Sequence, residues 1–404
     1  MNKFKSSSGF WFILVVLVSF SVLPIFTKGA AAAPEINYET FYWGSFFELT
    51  GSGAAWGTSA LNAVRLAVDE INAAGGFKVG NKHYKIKLLE GDTEGKTEKA
   101  VAVVTKQLQE HHPVIFSGPG ISVTSAPIIE MVKARKDFIV LSHATIQATR
   151  CDESPLLFCT SKQEWFGPDI VDYVVDKLGV KSVAIMAGSD EFGHLAAEKE
   201  YATQFRRRGV KITDMIYFPP ETHDFYAFLS KIKPHKPDAI LVCYYDPHTQ
   251  GIIRQAMELG ITKTFMNRAG SVQGAEPFKD QIDNFVWTAG FDMDYSKDPR
   301  LLAYKERFKK RYGRYPMNKF NDGAIMINYD FVPMAVKAIQ KAGTVTDVNA
   351  IANALRKTVY EGVAGKMYFR ETGNAMRSAY GGHMKRGGAK DFFVITPRPE
   401  LCPK

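Results

Sequence analysis

The sequence predicts an α/β protein built as two doubly wound parallel-sheet lobes, and three observations carry that expectation. Strand-patterned and helix-patterned segments alternate through short connections over nearly the whole chain, the signature of parallel sheets covered by helices. The alternation pauses at a short loop bracketed by Cys151 and Cys159, then restarts with enough strands for a second sheet. A chain of 404 residues with 46% hydrophobic content also usually divides into about two domains.

The elements follow in order. Lys3 and Lys5 precede an apolar run over 10–26, then Thr27-Lys28-Gly29 and Ala30 to Ala33 before Pro34. This is the pattern of a secretory signal peptide over 1–33 with a small-residue cleavage site. Ser19, Ser21 and Pro24 interrupt a run already short of the roughly 20 residues a spanning helix needs, so cleavage and export are expected rather than anchoring. No cysteine stands near the cleavage site, which argues against a lipid anchor, and no later segment is apolar enough to span.

The aromatic-rich run 40–49 reads as a buried strand, after which Gly51, Gly53 and Gly57 allow a sharp turn that carries Trp56. Leu61, Val64, Val68 and Ile71 recur at helical spacing, and Gly75-Gly76 ends that helix. The pattern then gives strand 84–90, helix 96–110, strand 113–117, helix 123–133 and strand 138–142, completing one lobe. After the cysteine loop come helix 164–178, strand 182–187, helix 192–208, strand 211–218, helix 225–232, strand 239–244, helix 249–260 and strand 264–267. A strand-like segment 285–289, helices over 299–312, 321–342 and 348–357, and strands over 366–370 and 391–395 close the chain. The glycine-rich segment 381–388 reads as a mobile loop.

The net charge of +9 belongs partly to the leader. The clusters Arg206-Arg207-Arg208 and Lys309-Lys310-Arg311 end helical runs, where cations complement the dipole, so nucleic acid is not an expected partner. Export permits disulfides, and Cys151 with Cys159 forms the expected bridge. Cys243 and Cys402 are left unassigned.

Gly51-Ser52-Gly53 with Gly57 approximates a dinucleotide fingerprint, but Trp56 stands where the third glycine belongs and would block a pyrophosphate. The turn is therefore either a plain corner or a ligand-facing one, and no cofactor is expected. Gly118-Pro119-Gly120-Ile121-Ser122 sits between a strand and a helix, where backbone N–H groups and the dipole make an anion site, although ordinary capping by Ser122 would satisfy the same donors. The next strand also ends in polar residues, Ser142-His143-Ala144-Thr145, which favours a carboxylate or similar oxyanion at these neighbouring strand ends. Catalytic signals are weak. There is no Gly-x-Ser-x-Gly elbow, Ser230 to Lys233 falls inside a helix, and adjacent His111 and His112 cannot share a helix face as metal ligands, so no catalytic residue and no metal are expected.

With these pieces in place, the chain resembles the type I periplasmic solute-binding proteins, in particular the branched-chain amino acid (leucine/isoleucine/valine) binding family of ABC importers. The resemblance runs from about Ile36 to the tail. It is carried by Leu49-Thr-Gly-Ser-Gly-Ala-Ala-Trp-Gly, Ala67-Val-Asp-Glu-Ile-Asn-Ala-Ala-Gly-Gly, Leu89-Glu-Gly-Asp, Gly118-Pro-Gly-Ile-Ser, Ile252-Ile-Arg-Gln-Ala and Asn328-Tyr-Asp-Phe. It implies two lobes joined by a three-crossover hinge, 34–160 plus 290–375 and 161–289 plus 376–404, which close on a ligand and then dock on permease subunits in the inner membrane. It implies that Ser122, Ala144 and Thr145 bind a ligand carboxylate, that Trp56 walls the side-chain pocket, and that Phe192 and Tyr244 contact the ligand from the second lobe. The resemblance departs at one point. Where the family places an acid for the ligand ammonium this chain has Ala269, preceded by Arg268. Either another acid such as Asp246 takes that role or the ligand is not an α-amino acid. Arg268 either meets a second anionic group or carbonyl of the ligand or simply faces solvent. The expected protein is thus a monomeric, non-enzymatic periplasmic binder of a branched-chain amino acid or a related aliphatic or aromatic acid or amide. A periplasmic sensor that feeds a signalling receptor is the alternative.

Overall fold

Sixteen strands among the described residues sort into three sheets, two of them large. The computed structural model describes residues 36–51, 53–144, 148–268, 272–290, 298–315 and 322–402, and Asn37–Lys404 is one compact unit. The first sheet holds β1 (Tyr38–Ser45), β2 (Phe77–Val79), β3 (Lys82–Leu89), β4 (Ile115–Ser117), β5 (Ile139–Ser142) and β6 (Leu157–Cys159), ordered β2-β3-β1-β4-β5-β6. The second holds β7 (Ser182–Gly188), β8 (Lys211–Phe218), β9 (Ala239–Cys243), β10 (Thr264–Asn267) and β11 (Asn284–Gly290) with the later β15 (Ala379–Lys385) and β16 (Lys390–Ile395). Its order is β16-β15-β11-β10-β9-β7-β8, and β12 (Val359–Gly362), β13 (Gly365–Phe369) and β14 (Ala375–Met376) form a small antiparallel sheet.

Both large sheets have the same internal logic. In the first, β1 lies parallel between β3 and β4, and in the second β7 lies parallel between β8 and β9. The connections leaving such a pair diverge to opposite faces, which opens a crevice at the carboxyl ends of the strands. Burial of both faces explains the near-continuous apolar runs. In β9 the alternation sends Ala239, Leu241 and Cys243 into one core and Ile240 and Val242 into another.

The chain returns to the first sheet late. Leu301, Tyr304 and Phe308 of the helix Pro299–Tyr312, with Phe331 and Ile339 of the helix Asp322–Ala342 and Ile351 of the helix Val348–Arg356, share one core with β1 to β6. The segments that connect the two sheets are tied together. Ser161 Oγ donates to the Ala375 carbonyl at 2.7 Å, and Asn374 Nδ2 donates to the Thr160 carbonyl at 3.3 Å. Cys151 and Cys159 form the expected disulfide, with a Cα–Cα distance of 6.2 Å, while Cys243 and Cys402 are free thiols. The arginines expected at a helix end also find anions there, since Arg207 and Arg208 both reach Asp172.

Three features differ from the sequence reading. The segment 381–388 is not a loop along its length, because residues up to Lys385 belong to β15, paired antiparallel with β11 and β16. A Cβ on Gly381 would lie 2.2 Å from the Phe393 ring, and one on Gly382 would lie 2.2 Å from the Trp287 ring. These glycines are therefore strand positions covered by neighbouring aromatic rings. The helix expected over 192–208 is three pieces, Glu191–His194, a π-helical stretch Leu195–Ala202 and Thr203–Arg207. Trp56 does not stand in a turn, because the helix Ala54–Ala73 already includes it. The segment 1–33, expected to be a signal peptide, lies outside the described residues, and among the described residues no helix is long and apolar enough to cross a membrane.

Candidate functional site

The first crevice lies between the loops that follow β1 and β4. Beyond β1 the chain continues through buried Phe46 and Phe47 to Glu48, which is also fully buried. Glu48 Oε2 accepts from the Gly120 N–H at 3.0 Å and Oε1 accepts from Thr124 Oγ1 at 3.0 Å. Burial outweighs these hydrogen bonds and holds the carboxyl above the usual range. The 118–122 loop thus does form an N–H cradle, and a carboxylate of the chain itself occupies it. Gly57 allows this closeness, since a Cβ there would lie 2.1 Å from the Glu48 carbonyl oxygen.

The expected residues of the first lobe that the structure describes lie on the helix Ala54–Ala73 after β1 and on the loops beyond β4 and β5. Ser122 opens the 3-10 turn Ser122–Thr124 and is half-buried. Ala144 is buried, and its N–H donates to Ser142 Oγ at 3.1 Å. Beside it, Asn328 Nδ2 lies 2.9 Å from Nδ1 of His143, whose burial pushes the imidazole down to about 4. Trp56 is half-buried against the first core. Thr145 lies outside the described residues.

The second crevice, between β7 and β9, gathers three of the expected residues. Asp190 starts the short helix Glu191–His194, its Oδ1 accepting from the Gly193 N–H at 2.8 Å, while Oδ2 accepts from the Tyr244 hydroxyl at 2.8 Å. Burial first, then that hydrogen bond, raises the Tyr244 hydroxyl above its usual range. The Phe192 ring lies 6.3 Å from the Tyr244 ring and stacks on Tyr245 at 5.7 Å. Arg268, just beyond β10, places its guanidinium carbon 4.7 Å from the Phe192 ring centre. Arg268 is 9% exposed, so it does not face solvent. Its Nε donates to Glu200 Oε2 at 2.7 Å. Glu200 is 1% exposed, and burial raises its carboxyl despite the arginine beside it. The same pairing keeps Arg268 charged against its own burial. Asp246 is buried at the start of the helix Asp246–Glu258, against Gly274. Ala269 lies outside the described residues.

The sequence reading missed Glu48, Asp190 and Glu200. Glu48 carried a signal, as an acid at the end of the aromatic-rich run. Glu200 carried a weaker one, standing at helical spacing from Ala196, Ala197 and Gln204 on the apolar face of its helix. Among the described residues no group of three His, Cys, Asp or Glu is placed to hold a metal. A cavity of about 400 Å³ lined by Arg300, Arg307, Tyr329, Tyr360 and Gly362 lies beside β12, away from both crevices.

Two doubly wound sheets in one chain, each with aromatic and polar side chains at its switch point, define a two-lobed binding fold. Residues 44–389 match the periplasmic binding protein family, and the chain belongs to it. Its relatives include an amino acid binding protein of Pseudomonas aeruginosa, 25% identical over 338 residues, covering 82% of this chain and 86% of that one. The Leu/Ile/Val-binding protein BraC3 of Rhizobium johnstonii is likewise 25% identical, covering 82% of this chain and 88% of its own. Among solved structures, the branched-chain amino acid transporter substrate binding protein LivJ from Streptococcus pneumoniae, in complex with isoleucine, aligns with a TM-score of 0.73 at 26% identity, covering 89% of this chain and 100% of that one. A solute binding protein from Rhodopseudomonas palustris, in complex with 3,4-dihydroxy benzoic acid, shares the fold with a TM-score of 0.69 at 18% identity, covering 89% and 99%.

Proposed function

We propose that the chain is the periplasmic solute-binding component of an ABC importer, capturing a small carboxylate-bearing solute between its lobes without turning it over. The observation that carries this reading is the clustering of Phe192, Tyr244 and Arg268 at one switch point while Ser122 and Ala144 flank the other. Strand ends at switch points are where open α/β sheets bind ligands. The names of the relatives and the isoleucine in the LivJ complex support a solute of amino acid size.

In this reading residues 1–33 are removed on export and the lobes comprise 34–160 plus 290–375 and 161–289 plus 376–404. Closure by hinge motion brings the two crevices onto one solute. The solute carboxylate takes the Ser122 and Thr145 hydroxyls and the Ala144 N–H, which Ser142 now holds. Trp56 walls one side, and Phe192 and Tyr244 close the other. Exposed Val123 and Tyr245 beside these residues lose contact with water on closure, which favours the closed form. The closed monomer then docks on the permease.

A thermal-shift screen of the purified chain against amino acids, amides and aliphatic or aromatic carboxylates tests the proposal, because binding raises the melting temperature by mass action. At least one carboxylate is expected to stabilise the chain, and Ser122→Ala should weaken that effect. A screen with no stabilising solute, or release of a product from one, would overturn it.

A further inference from the structure

Arg268 carries information about the chemistry of the solute. Its side chain is only 7% exposed, its guanidinium lies over Phe192, and Glu200 engages it through Nε at 2.7 Å. Nη2 is enclosed and has no hydrogen-bond partner. An enclosed N–H donor without an acceptor is uncommon and needs a reason, of which an absent ligand oxygen is one. With Nε already engaged by Glu200, Nη2 is the donor left without an acceptor, and a carboxylate, carbonyl or hydroxyl oxygen would satisfy it.

An ammonium group fits this corner poorly. It has no acceptor to offer Nη2, and it brings a like charge to the guanidinium. Glu200 does not offset that charge for the solute, because it is 1% exposed and already paired with Arg268. Asp190 is engaged on each oxygen, by the Gly193 N–H and the Tyr244 hydroxyl, and is thereby held in the turn before Phe192. We propose that Arg268 donates to an oxygen of the solute, so that the protein selects carboxylates with a second oxygen function over α-amino acids of the same skeleton. The inference rests on the solute-binding reading above and narrows it.

Calorimetric titration with matched pairs tests it. Leucine is compared with 4-methyl-2-oxopentanoate and 2-hydroxy-4-methylpentanoate, and phenylalanine with 3-phenyl-2-oxopropanoate. Within a skeleton that binds, the oxo or hydroxy acid should bind at least about tenfold tighter than the amino acid, a difference of about 1.4 kcal/mol. Arg268→Ala leaves Glu200 buried without its partner and can fail to fold. The double variant Arg268→Gln, Glu200→Gln removes both charges, and it should bring the preference within about threefold while keeping the melting temperature near that of the parent. Amino acids binding as tightly as their oxo partners, or a preference that survives the double variant, overturns the inference and leaves the solute-binding reading standing. Stabilisation of the chain by amides but by neither member of any pair does the same. No binding of any solute in the thermal screen removes both.

Discussion

Replacing Glu48 by alanine tests how the first crevice is held together. The change strips the Gly120 N–H of its acceptor at 3.0 Å and leaves Thr124 Oγ1 with only the Ile121 carbonyl at 3.4 Å. An enclosed donor left unpaired costs about 1–3 kcal/mol, and the weakened hydroxyl contact adds less than that. The one buried methylene lost, Cγ, adds about 0.8 kcal/mol. The expected loss is about 2–4 kcal/mol, a large share of the roughly 5–15 kcal/mol typical of a folded domain. The pH dependence has a definite sign. Because the Glu48 carboxyl is raised on folding, its contribution is fullest at acid pH and declines as pH rises through its folded value, so the alanine penalty should shrink toward alkaline pH. Urea unfolding followed by the fluorescence of buried Trp43 and half-buried Trp56 reads both quantities. Acetate should partly restore the variant by occupying the emptied cradle and should leave the parent unchanged. A penalty under about 1 kcal/mol, or one that grows with pH, would refute the argument that this carboxyl organises the loop.

Other substitutions probe the frame around the site. Gly57→Ala should destabilise by about 1–3 kcal/mol despite better helix propensity, because its Cβ would meet Glu48 backbone atoms that cannot yield; a more stable variant by urea unfolding contradicts the close approach. Removing the disulfide with Cys151→Ser and Cys159→Ser, which opens a short loop of sequence separation 8, should cost about 2–3 kcal/mol, and dithiothreitol should lower the melting temperature of the parent but not of this variant. Asp330 accepts from the Val363 and Ala364 N–H groups, and burial raises its carboxyl to about 7. The folded chain therefore keeps a proton that the unfolded chain has released, and stability from this group falls as pH rises from about 4 to 7. His143, lowered to about 4, acts in the opposite sense up to about 6.5. Relative to the parent, Asp330→Asn should gain stability with rising pH and His143→Gln should lose it, by up to about 1.4 kcal/mol per pH unit. Profiles parallel to the parent in denaturant titrations would count against both assignments.

The large architecture was legible because both sheets are buried on two faces. Strands such as β9 and β10 read directly as apolar or β-branched runs, and amphipathic helices such as Pro299–Tyr312 fall at the expected bounds. Several of the short strands were not legible. β2, β6 and β14 have two or three residues each, too few to show a period. β15 was hidden by glycines, whose role depends on Trp287 and Phe393 from other strands. At the site, local motifs marked the loops that carry Ser122, Ala144, Phe192, Tyr244 and Arg268. The partners were a different matter. Glu48 reaches residues more than 70 positions away and Glu200 pairs across 68, and no local pattern signals such pairings. The sequence suggested the 118–122 loop as a site for a ligand carboxylate, and in the structure its Gly120 N–H is held by the chain's own Glu48.

The central claim is that one solute is held by both lobes. Its most direct test is calorimetric titration of the purified chain, with the carboxylate that stabilises it most, in three forms: the parent, Ser122→Ala and Phe192→Ala. A single saturable site is expected, with each substitution weakening it at least about tenfold, or about 1.4 kcal/mol. Binding that depends on Phe192 but not on Ser122, or the reverse, would place the solute on one lobe alone and contradict the account.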